Sequence, residues 1–136
     1  MAKLFDLKIL TPEREFFSGE VEALTFTVED GSITVLANHV PLITPVEISS
    51  LKIKLPDGEW REAFNSEGFV EVRREGVIAF VQTCEWPEEI DARRAEEARI
   101  RAEEMLRQKH SIKEYQHTKI DLARAMERLR VTKTRR

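Results

Sequence analysis

The sequence predicts a two-part protein: an antiparallel β-sandwich over residues 1–86, followed by an antiparallel two-helix hairpin over residues 87–136. Three observations predict it. All five Gly and all five Pro lie at or before Pro87, so the residues that punctuate turns crowd into one segment and vanish from the next. Apolar residues alternate with period two before that point and recur at helical spacing after it. Charge divides at the same place, with 8 basic and 15 acidic side chains up to Pro87 and 14 basic and 10 acidic beyond it.

The strands follow in order. Phe5, Leu7 and Ile9 alternate with polar partners until Thr11-Pro12-Glu13 breaks the run. Leu24, Phe26 and Val28 form the next alternating run and stop at Glu29-Asp30-Gly31. Leu51, Ile53 and Leu55 lead into Pro56-Asp57-Gly58, where Pro pre-sets φ and Gly is free to take positive φ. Phe69, Val70 and Val72 precede Arg74-Glu75-Gly76, and Val77 to Val81 make a nearly continuous apolar strand. Short strands broken by closely spaced turn signals indicate a sandwich or barrel, and we read a sandwich.

Two helices fill the remainder. Asp91 is an N-cap acceptor just after Pro87. Ala95, Ala98, Ala102 and Met105 make one stripe with Leu106 alongside; Ile112, Tyr115, Leu122, Met126 and Leu129 make another with Ala123 beside it. Gln108 to Ser111 is the poorest helical stretch and the expected turn. An Ala-rich stripe buries little area but lets two backbones approach closely, so a hairpin that can come apart is expected.

Composition excludes several classes. A net charge of −3 supplies no overall attraction to nucleic acid or anionic lipid, and the C-terminal half carries only Tyr115 as an aromatic for stacking. The single cysteine, Cys84, allows no internal disulfide and no zinc ribbon, and at the end of an apolar strand it reads as a buried structural thiol. The opening Met-Ala-Lys-Leu-Phe-Asp lacks the apolar run of a signal peptide, and no stretch is long enough to span a bilayer. We therefore expect a soluble protein of a reducing compartment. There is no Gly-rich phosphate loop, and the histidines (39, 110, 117) are scattered. His39, within Asn-His-Val-Pro-Leu, reads as a satisfied loop or core histidine. An enzyme is not indicated, and no metal or required cofactor is expected.

The arginines carry more information. Arg94 and Arg101 lie two turns apart on one helix face, and Arg124 and Arg128 one turn apart on another. A hairpin turning near residue 111 sets Arg94 opposite Arg128 and Arg101 within a turn of Arg124. Four guanidinium groups on one side would repel unless an anion joined them. The alternative is a solvated face neutralised by Glu96, Glu97, Glu103 and Glu104.

The whole chain resembles the epsilon subunit of F-type ATP synthase. The resemblance is carried by Leu-Lys-Ile-Leu-Thr-Pro-Glu-Arg (7–14), Asn-His-Val-Pro-Leu (38–42), Glu-Gly-Phe-Val-Glu-Val (67–72) and Ile90-Asp91-Ala92-Arg93-Arg94-Ala95, in that order. The last fits the pattern Ile/Leu-Asp-x-x-Arg-Ala, which in bacterial members marks an ATP site. One loop departs: Gly-Ser-Ile-Thr-Val-Leu-Ala-Asn-His (31–39) stands where the family often has Gly-Glu-Leu-Gly-Ile-Leu-Pro-Gly-His.

The resemblance implies a non-catalytic rotor subunit of the central stalk, peripheral to the cytoplasmic face of the bacterial cell membrane. Its sandwich would bind the gamma subunit and the c-ring. Its hairpin, opened, would enter the alpha/beta catalytic head and block ATP hydrolysis; the basic residues Arg124, Arg128, Arg130, Lys133, Arg135 and Arg136 would meet an acidic segment of the beta subunit. Carried over residue by residue, the family's ATP site becomes Glu85, Asp91, Arg94, Ala95, Arg101, Arg124 and Arg128. In it Glu85, Asp91 and Arg94-Ala95 are expected near the adenosine, and Arg101, Arg124 and Arg128 toward the phosphates. ATP is thus expected as a regulatory ligand that favours the folded hairpin. Two other readings stay open: a structural stalk subunit without nucleotide response, and a free-standing ATP-binding sensor module.

Overall fold

In the computed structural model, residues 3–108 and 111–133 are described. They form ten strands, a short 3₁₀ turn and two helices, divided into one unit that ends at Glu85 and another that begins at Trp86.

The first unit is a sandwich of two five-stranded sheets. One sheet contains β1 (Phe5–Leu10), β2 (Glu15–Val21), β9 (Val77–Val81), β8 (Gly68–Val72) and β5 (Leu42–Val46), in the spatial order β2-β1-β9-β8-β5. The other contains β10 (Cys84–Glu85), β7 (Trp60–Asn65), β6 (Ser49–Lys54), β3 (Ala23–Val28) and β4 (Gly31–Leu36), in the order β10-β7-β6-β3-β4. Neighbours pair antiparallel except β1 and β9, which run parallel from Leu7↔Val77 to Leu10↔Phe80.

Alternation drives this arrangement. Leu7, Ile9, Leu24, Phe26, Leu51, Ile53, Val70, Val72, Val77, Ala79 and Val81 are all buried, and most of their sequence neighbours, Ala23 and Ser50 apart, are more exposed. The wider face of β8 and β9 carries a stacked pair, Phe69 on Phe80 with ring centroids 5.1 Å apart. At Gly68, paired with Val81, a Cβ would sit 1.9 Å from the carbonyl oxygen of Phe80, so only glycine fits that crossing.

Turn chemistry is local. Leu55 closes on Glu59 around Pro56-Asp57-Gly58, with Gly58 at φ +87° and the Asp57 carboxylate accepting from the Glu59 N–H at 2.8 Å. In the loop after β4, Asn38 takes φ +65°, a left-handed conformation that Asn tolerates better than most side chains. Asn65, 1% exposed, donates to the carbonyls of Glu47 and Ser66 at 2.9 Å each and ties the β5–β6 turn to the β7–β8 turn.

The second unit opens with the 3₁₀ turn Pro87–Glu89, where the Glu89 carboxylate accepts from the Trp86 N–H at 2.9 Å. Helix α1 (Ala92–Leu106) and helix α2 (Ile112–Lys133) pack on each other. Five residues separate them, which forces an antiparallel pair. Asp91 caps α1, as its sequence position predicts, with Oδ1 accepting from the Arg94 N–H at 3.1 Å. Ser111 caps α2, its hydroxyl accepting from the Glu114 N–H at 3.2 Å.

The seam differs from the expected stripes. Ala95 and Ala102 are buried on α1, but Met105 is exposed. On α2 the buried positions are Thr118, Ala125 and Val131; Ile112, Tyr115 and Met126 face outward, and Leu122, Ala123 and Leu129 are half-buried. Periodicity located the large residues, while close approach of the backbones selected the small ones. Ala95, Ala102, Thr118 and Ala125 repeat every seven residues and leave room for contact.

Candidate functional site: the arginine edge of the hairpin

The seam fixes the edge on which each described charged residue of the two helices lies. An antiparallel pair has an approximate two-fold axis running out through one edge, and this axis carries each edge onto itself. Residues displaced in the same sense from the seam therefore share an edge. At about 100° per residue, Arg94 and Arg101 lie about 100° and 120° to one side of Ala95, and Arg124 and Arg128 lie about 120° and 80° to the same side of Thr118. All four arginines occupy one edge.

The opposite edge provides a check. Glu96, Arg99 and Glu103 are displaced to the other side of Ala95, and Lys133 to the other side of Thr118, so all four should be neighbours. They are. Arg99 donates to Glu96 and, at 2.8 Å, to Glu103. That bonding holds the Glu96 carboxyl below the usual carboxylate range, and the charge of Lys133 across the seam adds to the effect. The same two carboxylates push the Arg99 guanidinium above its ordinary value.

This disposes of most of the neutralising partners expected from sequence. Glu96 and Glu103 belong to Arg99 on the far edge, and Glu97 pairs with Arg93 at 3.5 Å. Among the described residues, neither Arg94 nor Arg101 has a carboxylate partner, and both are exposed. Arg124 and Arg128 are half-buried. Arg124 lies 3.7 Å from Asp121, whose other oxygen lies 3.6 Å from the His117 ring.

The remaining expected site residues fall as follows. Asp91 is exposed at the N-terminus of α1, with one carboxylate oxygen committed to the cap. Ala95 is buried beside Arg94. Glu85 is half-buried in β10, paired with Phe64 across the ladder, and belongs to the other unit. Arg130 bonds Glu127 at 2.9 Å and Lys133 is exposed, whereas Arg135 and Arg136 lie outside the described residues. Sequence reasoning missed Arg99 and Asp121. Both were readable as i, i+3 and i, i+4 partners once the buried face was known.

In the sandwich, His39 directs Nδ1 to the Val40 carbonyl at 2.7 Å, a satisfied loop histidine. Cys84 is buried. Leu36, Val40 and Ile43 are 58%, 71% and 70% exposed, an apolar group on β4, β5 and the loop between them. No metal-binding cluster of His, Cys, Asp and Glu occurs among the described residues, and no helix among them is long and apolar enough to cross a membrane.

Comparison with known proteins agrees with this architecture. Residues 4–87 match the family described as "ATP synthase, Delta/Epsilon chain, beta-sandwich domain", and residues 88–133 match "ATP synthase, Delta/Epsilon chain, long alpha-helix domain". The ATP synthase epsilon chain of Caldanaerobacter subterraneus subsp. tengcongensis is 49% identical over 132 residues, covering 96% of this chain and 95% of that one. The Ruminiclostridium cellulolyticum epsilon chain is 46% identical over 132 residues, covering 97% and 98%. In solved structures the fold recurs in a Euglena gracilis mitochondrial ATP synthase assembly (TM-score 0.79, 20% identity, 91% of this chain and 78% of that one). It recurs also in the central stalk and c-ring of the Tetrahymena thermophila enzyme (TM-score 0.69, 14% identity, 96% and 98%). Matched along both units, the chain belongs to the ATP synthase epsilon-chain family, whose members are non-catalytic subunits of that complex.

Proposed function

We propose that this chain is a central-stalk rotor subunit whose sandwich docks on the gamma subunit and the c-ring, and whose hairpin restrains ATP hydrolysis when it opens toward the alpha/beta head. ATP bound along the arginine edge holds the hairpin closed. The single observation that carries the regulatory part is that edge: four arginines share it, and the two on α1 lack carboxylate partners among the described residues.

The physics follows from the repulsion. Four cations on one edge work against hairpin closure, and a triphosphate spanning both helices reverses the sign. Charge-assisted contacts contribute about 1.5–3 kcal/mol each before desolvation is set against them. A ligand shifts the closed–open equilibrium only by its differential affinity, and an anion that needs both helices binds only the closed form. A small, partly polar seam leaves that equilibrium within reach of such a ligand. In this reading Arg101, Arg124 and Arg128 take the phosphates, and Asp91, Arg94 and Ala95 meet the adenosine. The apolar group of Leu36, Val40 and Ile43 supports the docking role of the sandwich. Location at the cytoplasmic membrane face follows from the complex, and whether protons or sodium ions are carried is decided in other subunits.

Calorimetric titration of ATP into the full chain, beside an Arg94→Ala, Arg101→Ala variant, tests the ATP reading. Saturable binding by the wild type that is lost in the variant is expected. No binding up to several millimolar, an affinity worth only about −4 kcal/mol, removes ATP as the signal. Reconstitution of the complex with a chain ending at Trp86 tests restraint: unchanged ATPase activity would sink it. Failure to co-purify with gamma would favour a free-standing sensor.

A further inference from the structure

Arg124, one of the arginines expected to face the phosphates, has a carboxylate on its own helix face. Asp121 sits one turn before it, 3.7 Å from the Arg124 guanidinium and displaced about 60° from Thr118 to the arginine side of the seam. The second Asp121 oxygen is 3.6 Å from His117, so neither contact is a close hydrogen bond. An exposed pair of this geometry contributes little to helix stability. It does place one negative charge on the edge that carries Arg94, Arg101, Arg124 and Arg128.

We propose that Asp121 is a counter-charge built into the arginine edge: its carboxylate competes with the nucleotide's phosphates for Arg124 and sets the affinity of the site below what the four arginines alone would give. In the empty site Asp121 shields Arg124 and eases closure of the hairpin. In the filled site its charge faces the polyphosphate and must be outweighed. Asp121 therefore acts as an affinity-setting residue through Arg124, and it discriminates by phosphate charge rather than by base. The inference rests on the ATP reading above.

The test is calorimetric titration of ATP, ADP and AMP into the full chain, as wild type, Asp121→Asn and Asp121→Glu, with helix content followed by circular dichroism. Asp121→Asn keeps shape and removes charge; ATP should bind up to about fivefold more tightly at low salt, with a smaller gain for ADP and the smallest for AMP. The gain should shrink as salt screens the edge. Asp121→Glu keeps the charge and should restore the lower affinity. Unchanged or weaker ATP binding by Asp121→Asn, with the wild type binding, overturns the inference and leaves the ATP site standing. An equal gain for AMP and ATP, or tighter binding by Asp121→Glu as well, also overturns it, because the effect would then be that of helix stability. No binding by the wild type or either variant overturns both the inference and the reading beneath it.

Discussion

Asp91 has two assigned tasks, and one substitution series can separate them. Its Oδ1 accepts from the Arg94 N–H at 3.1 Å, holding the first turn of α1 and, with it, the start of the arginine edge. Asp91→Ala removes the acceptor. Loss of an N-cap costs about 0.5–2 kcal/mol, and loss of negative charge at a helix N-terminus about 0.3–1 kcal/mol more. A combined loss of about 1–2 kcal/mol makes opening of that turn about 5–30 times more frequent. Amide hydrogen exchange at Arg94, read by NMR on the full chain, should accelerate by that factor. Asp91→Asn keeps a capping oxygen and loses only the charge, so acceleration should stay near twofold to fivefold. Unchanged exchange at Arg94 in Asp91→Ala would refute the cap, and Asn as damaging as Ala would show that charge, not the acceptor, holds the turn. An Asn variant with intact protection but weakened ATP binding would assign the carboxylate a second role beside the nucleotide.

Further outcomes follow from the same geometry. Gly68→Ala should destabilise the sandwich by about 1–3 kcal/mol or more, because its Cβ would meet the Phe80 carbonyl oxygen at 1.9 Å and the β8–β9 pair must separate; urea unfolding read by Trp fluorescence checks this. Asn65→Ala removes the donor to the carbonyls of Glu47 and of buried Ser66, a loss of about 1–3 kcal/mol in the same assay. Glu96 is held below the ordinary carboxylate value by Arg99, so its contribution to the hairpin is complete above about pH 4.5 and is lost as pH falls through its lowered value. Side-chain NMR titration should place its midpoint below 4.5 in the wild type and raise it toward the ordinary value in Arg99→Met.

Legibility followed burial. β1, β3, β6 and β9 were readable because one face of each is buried and apolar: Leu7 and Ile9, Leu24 and Phe26, Leu51 and Ile53, Val77 and Val81. β2, β4 and β5 gave weaker signals. They lie at sheet edges, where β4 buries only Val35 fully and β5 only Val46, while Ile43 points outward and Pro45 needs no ladder donor. In the hairpin, sequence placed both helices and the Asp91 cap, but not the seam. Hydrophobic size marks a core where packing is driven by area. Here Ala95, Ala102, Thr118 and Ala125 meet because they are small, and Ile112 and Met126 remain outside. That the four arginines could share one side of the hairpin was readable from spacing; which carboxylates neutralise their neighbours was not. Asp121 was not, because its importance depends on which edge it shares, and only the seam decides that.

The parallel contact of β1 with β9 ties the beginning of the sandwich to its end. Until Val77 to Val81 have been synthesised, β1 and β2 form a hairpin whose inner edge has no neighbour, and the middle of that sheet is missing. The sandwich therefore has no stable N-terminal fragment, and its folding waits on closure of a loop nearly as long as the domain, which slows it. The helices behind it are joined by five residues, and such local pieces form in about microseconds. On a ribosome the two parts are made in the order opposite to the speed at which they can form. The last stretch to emerge can be complete while the first is still searching for its partner strand.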